Sequence, residues 1–461
     1  MKHSRLLAAC CVIFTLAFAT AELRAQDSTV GGFILRMFNL APAQTARPAV
    51  VIERATTEVQ PVQVAGEAEG TGNFETTHTD QSLISLKDNE GNAATLHTFC
   101  LAKNGNVLAG CGSPGAGEIR MFTPDGKYLE TWSLPVLPEA INTDPEGNVL
   151  VAGEGKLVQL SAQGKQMLIK DAPHVASMQD NREQLREQLK QQYKARANSY
   201  AQTLEIYQRQ IEMLEEKAKE GELSDAEKSR LEIYKRARTS LEGFVAKQKE
   251  EGEPELSDAQ LDAQLSSLMS SRSKVASISA TDTEVFLACN MSVGYGYQVY
   301  RLDRQFENPV SIIKDLRGCC GQMDVQANAN GVFVAENSRH RVAHFDREGE
   351  TVGAWGSRDR TGEKGFTSCC NPMNVCFGPN QSVYTAESTT GLIKQFDKQG
   401  KLLNYVATVK LVPGCKKVSI AVSPSGDSVY MMDITRHHIV KLSRPAGDSA
   451  DANEETAAGG E

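Results

Sequence analysis

Two loops of this 461-residue chain carry one pattern, Cys319-Cys320-Gly-Gln-Met323 and Cys369-Cys370-Asn-Pro-Met373. Adjacent thiols with a thioether three residues on are soft donors, of the kind that select Cu(I) or Zn(II). The same thiols could instead pair as disulfides, within a Cys-Cys pair or between neighbouring loops, or cycle as redox thiols. The disulfide reading is favoured, because no Cys-x-x-Cys and no histidine spacing accompanies the pattern. Cys415 stands in a third loop of the same kind, while Cys111 and Cys289 end strands. Cys100 and Cys376 fall inside strands and are expected to pack as small apolar groups.

Oxygen and nitrogen donors follow a different logic. Glu336, Glu387 and Asp433 recur at one position of a repeated unit, and His340 and His437 at another. Recurrence across copies points to a structural role, with calcium or substrate contact by the acids as the alternative. His97 is the non-repeat histidine placed to reach a channel mouth. There is no Gly-rich phosphate loop, His-Glu-x-x-His, Gly-x-Ser-x-Gly or paired-carboxylate motif, so no catalytic residue is assigned.

The elements that must position these residues repeat every forty residues or so, as four short strands joined by Gly and Asn turns. The clearest copy runs Gly331-Val-Phe-Val-Ala-Glu-Asn-Ser-Arg-His-Arg-Val-Ala-His-Phe-Asp346, and copies begin near residues 96, 138, 275, 322, 372 and 417. A four-stranded unit with two apolar faces cannot bury them alone, so the pattern predicts an all-β, six-bladed β-propeller. The last copy shows three strands, and the alternating segment Ser82–Lys87 is expected to supply its fourth and close the ring. In such a blade the start of the first strand and the end of the second share a face. His97, Cys111, Cys289, both Cys-Cys loops and Cys415 are therefore expected on one face.

The segments Val334-Ala-Glu-Asn-Ser-Arg-His-Arg-Val342, Tyr384-Thr-Ala-Glu-Ser388 and Met432-Asp-Ile-Thr-Arg-His-His-Ile439 carry a resemblance. They are similar to the strand–acid–turn–His-Arg-hydrophobic core of the NHL-repeat β-propellers. The resemblance covers residues of about 94–173 and 274–445 and implies a six-bladed ring of NHL or TolB-like type. That family includes protein-binding and RNA-binding modules and some lyases whose metal is held by histidines around the channel.

Residues 174–273 interrupt the repeat. Tyr200, Leu204, Tyr207, Ile211, Leu214 and Ala218 form one helical stripe, and Leu231, Tyr234, Leu241 and Phe244 form another. Gly221 separates them, Ser224-Asp-Ala-Glu227 caps the second helix, and Ser257-Asp-Ala-Gln260 caps a third. The stripes predict an α-helical hairpin, coiled-coil-like, rising from the cysteine-rich face as a self-packed arm or a partner-docking one. Residues 81–173 would hold the closing strand and two blades, and 274–445 the other four.

The ends read as an address and a tail. Residues 1–21 have the basic start, apolar core and small-x-small cleavage pattern of a signal peptide, which places the mature protein in the periplasm or outside the cell. Residues 22–80 read as a low-complexity linker and 446–461 as a solvated acidic tail. A formal net charge of −9 argues against nucleic acid, and no other stretch is long and apolar enough for a transmembrane span. The expected partner is a protein, peptide or small ligand at the cysteine-rich face. The expected cofactor, if any, is a Cu, Zn or Ca ion. A metal-dependent lyase or hydrolase at the channel is the enzymatic alternative.

Overall fold

The computed structural model describes residues 74–251, 256–319, 321–359, 361–363, 365–368, 370–412 and 414–445. The expected signal, most of the expected linker, the acidic tail, Cys320 and Cys369 lie outside the described residues.

The described chain is mainly β, in four-stranded antiparallel sheets. One sheet holds β2 (Leu96–Leu101), β3 (Val107–Ser113), β4 (Ala116–Phe122) and β5 (Tyr128–Leu134). The next holds β6 (Ala140–Thr143), β7 (Val149–Gly153), β8 (Lys156–Leu160) and β9 (Gln166–Asp171). A third holds β10 (Val275–Ala280), β11 (Glu284–Asn290), β12 (Tyr297–Asp303) and β13 (Val310–Leu316). A fourth holds β14 (Asp324–Asn328), β15 (Gly331–Glu336), β16 (Arg341–Phe345) and β17 (Thr351–Trp355). A fifth holds β18 (Asn374–Phe377), β19 (Val383–Ala386), β20 (Leu392–Phe396) and β21 (Leu402–Thr408). The remaining sheet joins the two ends of the described chain. In it β22 (Ile420–Val422), β23 (Ser428–Asp433) and β24 (His438–Ser443) are completed by β1 (Asp80–Ser85), with Asp80 opposite Ser443 and Ser85 opposite His438.

Burial follows strand position. β15, Gly-Val-Phe-Val-Ala-Glu, is buried at every residue because both its faces meet a neighbouring sheet, whereas outer β17 is largely exposed. The first strands touch in a cycle: β2 on β6, β6 on β10, β10 on β14, β14 on β18, β18 on β22, and β22 back on β2. An apolar core fills each gap between consecutive sheets. Ile84, Leu96 and Ile439 share one such core across the seam between the chain's two ends. Sheets packed face to face in a closed cycle are a β-propeller.

The first strands are also joined by polar side chains. Asn142 Nδ2 donates to Ile278 O and Gln326 Oε1, Ser277 Oγ to Asp324 Oδ1 and Val325 O, and Asn374 Nδ2 to Asp324 Oδ2. Asn374 Oδ1 in turn accepts from Ile420 N.

Between β9 and β10 lie α1 (Pro173–Asp180), α2 (Arg182–Glu220), α3 (Asp225–Glu251) and α4 (Asp258–Arg272). α2 stops at Gly221, and both sequence-predicted capping boxes form: Ser224 with Glu227, and Ser257 with Gln260. α2 and α3 run antiparallel, with Tyr207 stacked on Tyr234 and ion pairs Lys217–Glu227 and Lys235–Glu215 along the seam. Leu185, Leu265, Met178 and Met269 give α1, α2 and α4 a core of their own. At the root, His174 Nε2 lies 3.0 Å from Ser273 O, which brings the two ends of the helical segment together.

One boundary differs from expectation. Residues 74–79, read from composition as the end of the linker, are docked. Phe74 stacks on Tyr405, Thr77 and His78 donate backbone N–H groups to Tyr405 and Val406, and His78 Nε2 pairs with Gly426 O. Too few side chains there are apolar for the hydrophobic pattern to show it. Among the described residues, no helix is long and apolar enough to cross a membrane.

Candidate functional site

The recurring acids are consumed by the fold. Glu336 accepts from Arg317 N, Arg339 and Arg341. Its neighbour Asn337 accepts from Cys319 N at 2.7 Å, so the pair fastens the loop that enters β14. Glu387 does the same for the loop entering β18, accepting from Thr367 Oγ1 and Asn371 Nδ2, and it also binds Thr390 and the buried Lys394 ammonium at 2.9 Å. Asp433 accepts from Thr435 N, Arg436 N and the Arg436 guanidinium. Four residues beyond each acid the backbone turns left-handed: φ is 54° at His340, 68° at Gly391 and 53° at His437. At Gly391 a Cβ would sit 1.8 Å from Val409 O, so glycine is required there.

Sulfur chemistry is also largely committed. Cys370 and Cys415 are joined in a disulfide that ties the loop entering β18 to the loop entering β22. Cys319 brings its Sγ to 3.4 Å from Cys370 Sγ, so three successive inter-sheet loops meet at sulfur. Met373 lies in the same apolar core as Cys370, against which Cys319 and Cys415 also pack, whereas Met323 belongs to a neighbouring core; the two are 2% and 1% exposed. The Cys370–Cys415 bond takes two of the expected soft ligands, while Cys320 and Cys369 lie outside the described residues. Among the described residues no three His, Cys, Asp or Glu side chains are grouped to hold a metal. Cys111 and Cys289, expected on the loop face, are instead buried within β3 and β11. Burial pushes the Cys111 thiol up to about 12 and the Cys289 thiol higher still, so neither is a nucleophile. Strand alternation turned these two side chains into the gaps between sheets. Cys100 is buried among apolar neighbours; Cys376 is partly open to the channel.

What the loop face does contain is a funnel. The cycle of first strands encloses a cavity of 260 Å³ lined from all of them, among others by Thr98, Asn142, Ser277, Asp324, Asn374 and Ile420. Above it opens a second cavity of 860 Å³, walled by the loops that enter the first strands and by the turn after α4. Its polar lining includes His97, Glu139, Glu154, Lys274, Asn290 and Gln322. His97 accordingly reaches the mouth, anchored by Nε2 to Gly112 O at 3.0 Å, and burial lowers its pKa so that it is neutral near pH 7.

Lys417 stands where the two cavities meet and lines both. Its ammonium donates to Glu139 O, and among the described residues it has no ion-pair partner within 4.0 Å. Desolvation lowers its pKa to about 8, against the more distant Asp324 and Glu139 carboxylates, which raise it. Desolvation likewise pushes Asp324 up to about 6 and raises Glu139, despite hydrogen bonds from Ser277 and Val375 N to the former and Val275 N to the latter. Sequence inspection missed all three. A lysine two residues after a cysteine carries no motif, and the signal that existed was positional: Lys417, Gln322 and Pro372 occupy the same place before successive first strands.

No protein-family description and no curated protein matches the chain. Solved structures do. Virginiamycin B lyase from Staphylococcus aureus is 8% identical over 79% of this chain and 99% of that one, with a TM-score of 0.38. A gluconolactonase from Xanthomonas campestris is 11% identical over 83% and 99%, with a TM-score of 0.40. The Pan2 WD40 domain of Neurospora crassa is 9% identical over 81% and 98%, with a TM-score of 0.38. The fold assignment rests on the sheets themselves, and these likenesses assign no activity.

Proposed function

We propose that this chain is an exported, six-bladed propeller of NHL-like type that binds a small polar ligand or the end of a peptide in the loop-face funnel, with the helical segment as an arm inserted between its second and third blades. The observation that carries the reading is the 860 Å³ cavity with converging His97, Glu139, Lys274 and Lys417, a size and lining suited to a small molecule. The inter-loop disulfide supports export, since such bonds persist in oxidising compartments. The rigid ring holds the loops, and the loops give specificity.

The test is a ligand screen by thermal shift on the mature protein, paired with Ser271→Trp, which fills the funnel from the arm's root. A ligand that stabilises the parent and loses at least tenfold in affinity with S271W supports the reading. Ligands that bind the two equally would place the site elsewhere and overturn it. Fractionation of the producing cell tests export: the reading fails if the protein stays in the cytoplasm with its first 21 residues attached.

A further inference from the structure

We infer that Lys417 is a carbonyl-reactive amine, and that the funnel takes small aldehydes or ketones which it can hold as an imine. The inference rests on the binding site proposed above and names its ligand class. The geometry has three parts. The amine stands at the neck between funnel and channel, so a ligand entering from the loop face meets it end-on. Its hydrogen bond to Glu139 O fixes its direction and leaves its lone pair usable once a proton is lost. Among the described residues no carboxylate is within 4.0 Å to hold it as a permanent ion pair, unlike Lys394, which is locked on Glu387.

Chemistry follows from that placement. The neutral amine adds its electron pair to the carbonyl carbon, and the carbonyl oxygen takes up the proton lost from nitrogen. The resulting carbinolamine takes a proton from solvent, expels its hydroxyl as water, and the C=N bond forms; the nitrogen proton returns to solvent. No oxidant or reductant is consumed. Desolvation supports the amine's role by lowering it to about 8, and the same cause raises the neighbouring Glu139 carboxyl. The charged and titratable groups facing the amine are Asp324, Glu139, His97 and Lys274; the two carboxylates oppose the lowering, so the cause is desolvation.

The experiment is reductive trapping. The full mature chain is incubated with glyceraldehyde and cyanoborohydride at pH 7.5, and modified lysines are quantified by peptide mass spectrometry. An amine at about 8 offers roughly two orders of magnitude more neutral form at this pH than an ordinary lysine, so Lys417 should label at least tenfold faster than exposed Lys416 next to it. The Lys417 rate should rise with a midpoint near 8. Lys417→Gln should remove that fast phase while the other lysines label unchanged, and its circular dichroism reports folding. Labelling of Lys417 no faster than Lys416 overturns the inference. So does protection of Lys417 by inorganic phosphate, which would make the amine an anion site. A ligand sensitive to S271W but indifferent to K417Q would overturn the imine and leave the binding site standing.

Discussion

Glu387 offers the sharpest test of whether the recurring acids hold the fold or a ligand. Its carboxylate is fully buried, and Lys394, its partner at 2.9 Å, is 1% exposed. Replacing Glu387 with Ala leaves that ammonium in the interior with Gly365 O and the face of the Phe366 ring, 5.1 Å away, but no counter-charge. Removing one member of a buried pair costs about 3–5 kcal/mol, because the other charge stays desolvated. The Thr367 and Thr390 hydroxyls also lose this acceptor, and Asn371 loses one of its hydrogen bonds, so the upper half of that range is expected. At about 2 °C per kcal/mol for a unit this large, the melting temperature should fall by about 8–10 °C. Glu387→Ala with Lys394→Met removes both charges and should recover at least half of the loss. The assay is thermal melting of the parent, the single variant and the double variant, with and without added calcium. A drop under 2 °C in the single variant, together with loss of a calcium-induced shift present in the parent, would refute the structural role and restore the acid as a metal ligand.

Four further outcomes are expected. Cys415→Ser opens a disulfide whose cysteines are 45 residues apart, which loop-closure entropy values at about 4 kcal/mol; chemical denaturation should show a loss of about 2–4 kcal/mol, matched by reductant acting on the parent. Gly153→Ala would place a Cβ 1.8 Å from Leu137 O in the funnel wall, so it should destabilise by about 1–3 kcal/mol and weaken ligand binding, and a neutral result would mean the 137–139 loop yields freely. Asp324 at about 6 binds its proton more tightly folded than unfolded, so its contribution is full below about pH 4 and fades as pH rises through 6; the parent should lose about 2–3 kcal/mol relative to Asp324→Asn across that window, and a pH-independent difference would be refuting. Replacing residues 178–272 with a short Gly/Ser linker should leave the β-sheet circular dichroism intact, because His174 and Ser273 already meet at the root.

The sheets were legible because a strand between two sheets must be apolar on both faces while its turns must be tight. Val332-Phe-Val-Ala335 followed by Glu336, and Asp346 with Gly349, write those demands into the chain. The α2–α3 hairpin was legible for a similar reason, since its apolar stripes and capping boxes are local. Seam docking by residues 74–79 was not, because it uses backbone groups, one histidine and a single ring stack of Phe74 on Tyr405. Nor could spacing decide where Cys111 and Cys289 point. They end second strands as expected, but the pleat sends their side chains inward.

The site illustrates why repeats hide function. A residue required by every blade recurs, as Glu336, Glu387 and Asp433 do, and each is saturated by its own turn or the loop beside it. Asp324, Asn374 and Ser419 share the next recurring place, and two of them pass hydrogen bonds from one first strand to the next. Two residues upstream the copies disagree: Gln322, Pro372, Lys417. Nothing in blade packing asks for a cation there, and burying one raises the free energy of its charged form. A position the ring does not need, filled by a group the ring penalises, and opening on the cavity at its axis, is where selection for a ligand would leave its mark. Recurrence therefore separates the acids that build the propeller from the amine that it displays.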